Sequence, residues 1–594
     1  MDKKLLFTKL EEKKLSYYLE KSRNLLPEKF DKKLKIAILN SFTINGLEET
    51  LRVKCADEEI QCISYVGGYN QYIQEILDEN SPLYSFNPEL TFLILDVRTI
   101  FGENYFFSYD LSIEKRKEFV KNKSDELTNL IKSFLQKSKS KLVITNLLIP
   151  SYTSFGILET KYEYGFHEMI RDFNSILSSN MRNESGVYVF DFDQFAKKYG
   201  ERNIFDYRKY FFGDIKISLD HIPIFANELM GYIKPIASKN RKCIVLDLDN
   251  TLWGGIVGED GFDGISLGPT YPGNSFVEFQ RVLLSLWKRG IILAINSRNN
   301  PDDALKVIQE HPYMILKEEH FASTRINWND KATNLKEIAK ELNIGLNSIV
   351  YFDDDPVNRE LIKNIIPEVL TVDLPTDPSL YVTSLTELND FNVLQITDED
   401  FQRGKMYSEQ KSRIELENNV SNIDDFLKHL EIKVNIKNAN DFTIPRISQL
   451  TLKTNQFNLT TKRYQEEEIR KFANSSEKIV GCAQVEDKFG DNGITCVFII
   501  NKDNSLEWSI DTFLLSCRVM GRKVEDAILS KILQIAKENG VKKVIGNYIP
   551  TKKNMPCEKF LADNGFKKEN DIWSYSLTDT IEIPPHIEVK KEDE

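Results

Sequence analysis

Four apolar runs between Lys35 and Asp191 constrain this chain most: Lys35-Ile-Ala-Ile-Leu-Asn-Ser41, Leu90-Thr-Phe-Leu-Ile-Leu-Asp96, Lys141-Leu-Val-Ile-Thr-Asn146 and Gly186-Val-Tyr-Val-Phe-Asp191. Each is too short for a helix of its own and each stops at a polar residue. Helical spacing of apolar residues fills the gaps between them. Strands that alternate with helices and are apolar throughout belong to a parallel sheet covered on both faces. In such sheets ligands sit at the carboxyl ends of strands, which here carry Ser41, Asp96, Asn146 and Asp191.

A second unit of the same kind starts near Ser238 with Cys243-Ile-Val-Leu-Asp247-Leu-Asp249-Asn-Thr251, an apolar strand running into two aspartates one residue apart. Two carboxylates at a strand end invite a hard cation such as Mg²⁺. Three later segments supply what such a site needs. Ile291-Ile-Leu-Ala-Ile-Asn296-Ser297 ends in a hydroxyl, and Asn300-Pro301 reads as a helix start that can receive phosphate oxygens. Lys331 opens the helical stretch Asp330 to Leu342, and Ser348-Ile-Val-Tyr-Phe352 runs into Asp353-Asp354-Asp355. Between Thr251 and Ser297 there is room only for a flap, Trp253 to Gly273 with seven glycines, and one helix, 274–288. No large cap fits over the site.

With 594 residues and roughly 150 per domain, about four domains are expected. Hydrophobic residues make up 41%, so most of the chain should fold, and a net charge of −12 opposes general nucleic-acid binding. No signal peptide and no apolar stretch of membrane length stands out, which predicts a cytoplasmic protein without a membrane contact. Seven cysteines without a CxxC pair make neither a disulfide framework nor a zinc site.

In their order, the four central segments resemble the motifs of the haloacid dehalogenase (HAD) superfamily. The resemblance implies Asp247 as nucleophile and Asp249 as general acid and base. It implies Mg²⁺ held by Asp247, the Asp249 carbonyl and Asp353, with Asp354 nearby. Thr251, Asn296, Ser297, Arg298 and Lys331 would then face phosphate or substrate. The words Leu246-Asp-Leu-Asp-Asn-Thr-Leu-Trp-Gly-Gly255 and Ile326-Asn-Trp-Asn-Asp-Lys331-Ala resemble more narrowly the FkbH-like proteins. Those take a three-carbon unit from 1,3-bisphosphoglycerate, remove phosphate and load glycerate as a thioester on an acyl carrier protein. The partners implied are therefore a small phosphorylated metabolite and an acyl carrier protein.

The resemblance continues through Lys453-Thr-Asn455-Gln-Phe-Asn458, Asp487-Lys-Phe-Gly-Asp491-Asn-Gly493 and Ser516-Cys517-Arg518-Val-Met-Gly521-Arg522, in a region similar to N-acetyltransferases. Lys523 stands where the acetyltransferase phosphate loop ends in a small residue, which counts against coenzyme A. A thioester relay needs a thiol, and Cys517, beside Arg518 and ahead of a predicted helix 523–538, is the candidate; a small buried apolar residue is its other reading. The resemblance implies Asn455, Asp487, Asp491 and Arg518 as acyl-site residues. For the two aspartates a hairpin turn is the competing explanation. The first domain looks like an SGNH hydrolase, with Ser41, Asn146 and His221 in question, but Leu39-Asn40-Ser41 replaces Gly-Asp-Ser and the closing Asp-x-x-His is missing. That predicts a degenerate domain.

The expected architecture is α/β: two three-layer, Rossmann-like parallel-sheet domains followed by an α+β acetyltransferase-like domain. Its limits are a helical segment 1–33, an SGNH-like domain 34–237, a HAD-like domain 238–388, an acetyltransferase-like domain 389–580 and a disordered tail 581–594. A phosphatase for another metabolite in polysaccharide or secondary-metabolite assembly, and a non-catalytic carrier-protein scaffold, are the alternative functions.

Overall fold

The computed structural model describes residues 13–25, 30, 32–402, 406, 423–551, 554–569, 572–578 and 581–591, apart from the side chains of 423, 424, 517 and 569. The chain divides into two compact units that part between Lys239 and Asn240.

The first unit is built on an all-parallel sheet of β1 (Lys32–Asn40), β2 (Ile60–Val66), β3 (Leu90–Ile94), β4 (Lys141–Thr145) and β5 (Val187–Phe190), in the order β2-β1-β3-β4-β5. Five consecutive residues of β1, Ile36 to Asn40, are buried, and β3 is buried along its whole length, as strands covered on both faces must be. β2 escapes sequence detection because it is the edge: five of its seven residues are half-exposed, and its polar alternation hides it. Helices such as Ile113–Lys137, capped by Ser112 on the Lys115 amide, and Phe166–Met181 turn apolar stripes onto the sheet.

The second unit holds two sheets. One is all-parallel, β6 (Cys243–Leu246), β7 (Ile292–Ser297), β8 (Phe321–Ile326), β9 (Ile349–Phe352) and β10 (Leu370–Thr371), in the order β10-β9-β6-β7-β8. Its central strand β6 is flanked by β7 and β9, so the three strand ends that carry Asp247, Ser297 and Asp353 are adjacent. From β6 to β7 the chain forms only the one-turn helix Val257–Asp260 and the helix Gly273–Lys288, with isolated bridges Asp249 to Trp253 and Gly254 to Ser266.

The other is a nine-stranded mixed sheet: β11 (Ile432–Asn438), β12 (Phe457–Asn458), β13 (Lys478–Asp487), β14 (Gly490–Asn501), β15 (Glu507–Leu515), β16 (Lys543–Gly546), β17 (Lys567–Glu569), β18 (Ile572–Ser576) and β19 (Ile587–Lys591). Helix Val524–Glu538 packs its apolar face on this sheet. The predicted disordered tail is corrected here. Residues 587–591 pair in parallel with β11 and bury Ile587, because Ile587 and Val589 alternate with Glu588 and Lys590 at strand period, a pattern that the charge run masked in the sequence. Among the described residues no helix is long and apolar enough to cross a membrane.

Candidate active site

The parallel register of β6 with its neighbours leaves Asp247 just past the strand end, where its amide still bonds the Phe352 carbonyl at 2.9 Å. Asp247 Oδ1 accepts from the Leu248 amide at 2.8 Å, which turns Oδ2 toward Lys331. Lys331 is the first residue of helix Lys331–Glu341, whose start is fixed by the Asp330 carboxylate capping the Thr333 amide. From there its Nζ reaches Asp247 Oδ2 at 2.7 Å and Asp353 Oδ2 at 2.5 Å. Asp353 is fully buried; the Tyr351 hydroxyl donates to Oδ2 and the Asp355 amide to Oδ1.

The electrostatics follow from three carboxylates sharing one ammonium. Oxygens of Asp247, Asp353 and Asp354 lie within 4.8 Å of one another. Burial pushes the Asp247 carboxyl above its ordinary value, Lys331 pulls it back and Asp353 adds to the rise. Asp354 is pushed up to about 6, by burial first and then by Asp247 and Asp353. Burial alone would lower the Lys331 ammonium, but Asp247 and Asp353 outweigh it and hold it protonated. An all-oxygen donor set with surplus negative charge fits a hard divalent cation, and Asp247, Asp353 and Asp354 are the side chains that could hold it.

Asp249 points elsewhere. Its Oδ1 accepts from the Trp253 indole at 2.9 Å and the Val257 amide at 3.1 Å, and its Oδ2 from Asn299 at 2.7 Å. The flap thus holds the carboxylate two residues beyond Asp247 in place. Asn299 went unnoticed in the sequence; its only signal was its position two residues past Ser297.

The remaining expected residues sort by burial. Ser297 is buried and its hydroxyl acts on Asp247, favouring the ionised form. Thr251 is buried with no hydrogen-bond partner for Oγ1 among the described residues. Arg298 is exposed. Asn296 is a correction: it is fully buried, donates to the Lys331 carbonyl at 3.0 Å and accepts from Asn334 at 3.0 Å, so it shapes the start of the lysine's helix and does not face substrate. Arg359, unremarked in the sequence, donates to the carbonyls of Asp353 and Asp354 at 2.8 and 2.6 Å and fixes that loop.

In the C-terminal sheet, Phe457 of β12 pairs with Leu515 of β15, so the backbones of Asn455 and Cys517 leave the same end of one ladder. Asn455 is held by Arg463, whose guanidinium burial lowers to about 10. Asp487 is buried against Arg522 at 3.1 Å and accepts from the Phe489 amide, while Asp491 accepts from the Gly493 amide at 2.7 Å, so both aspartates serve the hairpin between β13 and β14. The side chain of Cys517 lies outside the described residues. Its backbone begins a 3₁₀ turn, Cys517–Val519, and the next helix starts only at Val524. The dipole of that helix fades within about one turn and falls short of Cys517.

In the first unit, Ser41 Oγ accepts from the Asp96 amide at 2.9 Å, Asn146 bonds Asp191 and the Asp193 amide, and His221 Nδ1 pairs with Ser218 Oγ at 2.7 Å. No hydrogen bond joins Ser41 to His221. Lys216, 2.5 Å from Asp96, lines a cleft together with Arg98, Tyr105 and Tyr210.

No curated protein matches the sequence. Two acetyltransferases of the GNAT family, from Desulfovibrio desulfuricans and from Staphylococcus aureus Mu50, each match 24% of this chain and 99% of their own, at 8% and 15% identity and a TM-score of 0.20. So low a score leaves the C-terminal domain described by its own sheet order. The N-terminal part of the protein BF1531 from Bacteroides fragilis, containing its phosphatase domain and complexed with Mg, matches at 28% identity and a TM-score of 0.60, over 65% of this chain and 100% of its own. Residues 35–234 match the family model of the FkbH N-terminal domain, so the chain is similar to FkbH proteins in its first unit and to a phosphatase-bearing protein over most of its length.

Proposed function

We propose that the central domain is a Mg²⁺-dependent phosphatase of the HAD type, working through an aspartyl-phosphate on Asp247. The observation that carries this reading is Lys331 set between Asp247 and Asp353, with a third carboxylate beside them and Asp249 held separately by the flap. The magnesium-bound phosphatase domain of the Bacteroides fragilis protein supports it. Mg²⁺ held by Asp247, Asp353, the Asp249 carbonyl and Asp354 would offset the repulsion between carboxylates and phosphate.

Asp247 Oδ attacks phosphorus, the bond from phosphorus to the leaving oxygen breaks, and Asp249 gives that oxygen its proton. Asp249 then takes a proton from water. The hydroxide attacks the aspartyl-phosphate, releases inorganic phosphate and restores Asp247. Lys331 stays protonated throughout, orients Asp247 and neutralises charge that builds on the phosphoryl oxygens.

The finer reading is that the phosphorylated unit is glyceryl, derived from 1,3-bisphosphoglycerate, and that the C-terminal domain passes glycerate to the thiol of an acyl carrier protein, with Cys517 as the relay. The short flap supports it, since an uncapped site accepts a group presented on something large. A plain phosphatase of another small metabolite is favoured instead by the four residues between the 3₁₀ turn and the helix, which keep Cys517 away from the helix dipole. The deciding experiment incubates the protein with Mg²⁺, fresh 1,3-bisphosphoglycerate and a candidate carrier, and records phosphate release and the intact masses of both proteins. A glyceryl adduct lost in Cys517→Ala supports the relay. Phosphate release without an adduct leaves the plain phosphatase, and no release that depends on Mg²⁺ and Asp247 leaves a scaffold.

A further inference from the structure

In the first unit the strand order β2-β1-β3-β4-β5 reverses direction between β1 and β3, and open parallel sheets take ligands in the crevice outside the strand ends at such a reversal. A cleft lies there. The Ser41 hydroxyl, past the end of β1, bonds the Asp96 amide, past the end of β3, at 2.9 Å. Asp96, Val97 and Arg98 line the cleft, together with Leu148 and Pro150 past the end of β4 and with residues from the segment 205–210. Ser41, Asn146 and His221, the residues that a hydrolase would use, are not in its lining.

Arg98 stands in this cleft without a carboxylate. Its guanidinium carbon lies over the Tyr105 ring and over the Tyr210 ring, 4.8 Å from each centroid, and the side chains that act on its charge are those two tyrosines. It enters no ion pair among the described residues. A guanidinium whose faces rest on rings keeps its edge of N–H donors for a planar acceptor. The other charges of the cleft are already answered. Asp96 accepts from the Arg98 and Thr99 amides and pairs with Lys216 at 2.5 Å, Glu201 accepts from the Ser151 amide at 2.9 Å, and Asp206 from the Lys209 amide at 3.0 Å.

The lining restricts what can bind. A phosphate ester, with a charge of about −1.5 to −2, would meet Asp96, Glu201 and Asp206 as well as Arg98, whereas a carboxylate brings one charge to one fork. Val97, Leu148, Pro150 and Phe205 offer no polar side-chain atom, so the rest of the ligand is apolar. Phe106 and Phe211, 57% and 81% exposed, extend the aromatic surface outward, their rings 4.8 and 4.9 Å from those of Tyr105 and Tyr210. The geometry points to a binding cleft for a small monocarboxylic acid with an alkyl or aryl body, its carboxylate held on the edge of Arg98. This site goes beyond the phosphatase reading and does not rest on it, because its test reads binding in the first unit and not turnover in the second.

The full chain, kept in EDTA, is titrated by calorimetry with 3-phenylpropionate, hexanoate and phenyl phosphate. At least one of the two carboxylates is expected to bind, and Arg98→Gln to weaken it at least about tenfold. The tighter of the two tells an aryl from an alkyl ligand, and either upholds the cleft. Binding of neither carboxylate, a smaller loss in a correctly folded Arg98→Gln protein, or phenyl phosphate held through Arg98 as tightly as the carboxylates overturns it. Hydrogen exchange on the unaltered protein is the second measurement and needs no variant. The bound carboxylate should slow exchange in residues 97–107 and 205–210, and unchanged exchange there under saturation also overturns the proposal.

Discussion

The N-terminal and central sheets each have five parallel strands, and in each a lysine from later in the chain reaches an aspartate at a strand end. In the first, Lys216 meets Asp96 at 2.5 Å and Asp214 at 3.5 Å, Asp191 takes Asn146 and the Gln194 amide, and Asp193 takes Lys197. Each carboxylate there has donors of its own besides the lysine, Asp214 the Tyr69 hydroxyl among them. In the central sheet Lys331 must serve Asp247 and Asp353 while Asp354 stands beside them, so negative charge is left over. The same architecture becomes a candidate for cation-assisted chemistry only where its carboxylates outnumber their partners.

The widest gap should open in activity. Asp247→Asn is expected to lower Mg²⁺-dependent phosphate release by about 10³-fold or more, whereas Asp96→Asn in the other sheet leaves it within about twofold. Equal losses would mean that the two sheets do not differ as their charges imply. Stability comes next. Lys331→Met leaves buried carboxylates facing each other and should cost about 3 kcal/mol in metal-free denaturant unfolding, with part of the loss recovered on adding Mg²⁺. A loss that Mg²⁺ does not touch would break the link between surplus charge and cation.

Glu525 offers a buried carboxylate with no lysine against it among the described residues. Burial raises it from 4.5 to about 7, and its Oε2 is buried without a partner among the described residues. Because the folded value lies above the unfolded one, ionising it costs stability progressively from pH 4.5 to about 7 and fully above. Glu525→Gln should therefore stabilise the second unit by up to about 3 kcal/mol at pH 8, a gain that fades to nothing below pH 4.5. Thermal melts across that range check the slope. The smallest effect belongs to Ser41→Ala, which removes the acceptor for the Asp96 amide at a cost of about 1 kcal/mol and leaves phosphate release unaltered.

Much of this was legible in the sequence because a buried parallel strand must be apolar and must stop where the chain meets solvent, so a run such as Cys243 to Leu246 followed by Asp247 declares both fold and site. Lys331 was legible for a similar reason, since Asp330 announces a helix start. What stayed hidden depends on contacts between distant segments. Nothing about Asn299 distinguishes it from other polar residues until Asp249 is brought within 2.7 Å of it. β2 and β19 stayed hidden because edge strands carry the polar residues that sequence reading assigns to loops. The helix after Cys517 was legible to within one residue, 523 expected and Val524 found, whereas the 3₁₀ turn at Cys517 was not.

The bond from the Trp253 indole to Asp249 makes the flap an optical instrument. The indole is fully buried, so its emission answers to the charge of the one carboxylate it touches and to little in the solvent. If Asp249 works as proposed, it gains and gives up a proton in each cycle and that field changes with it. A turnover cycle should therefore write itself into the fluorescence of Trp253, read without a label once the other four tryptophans are replaced.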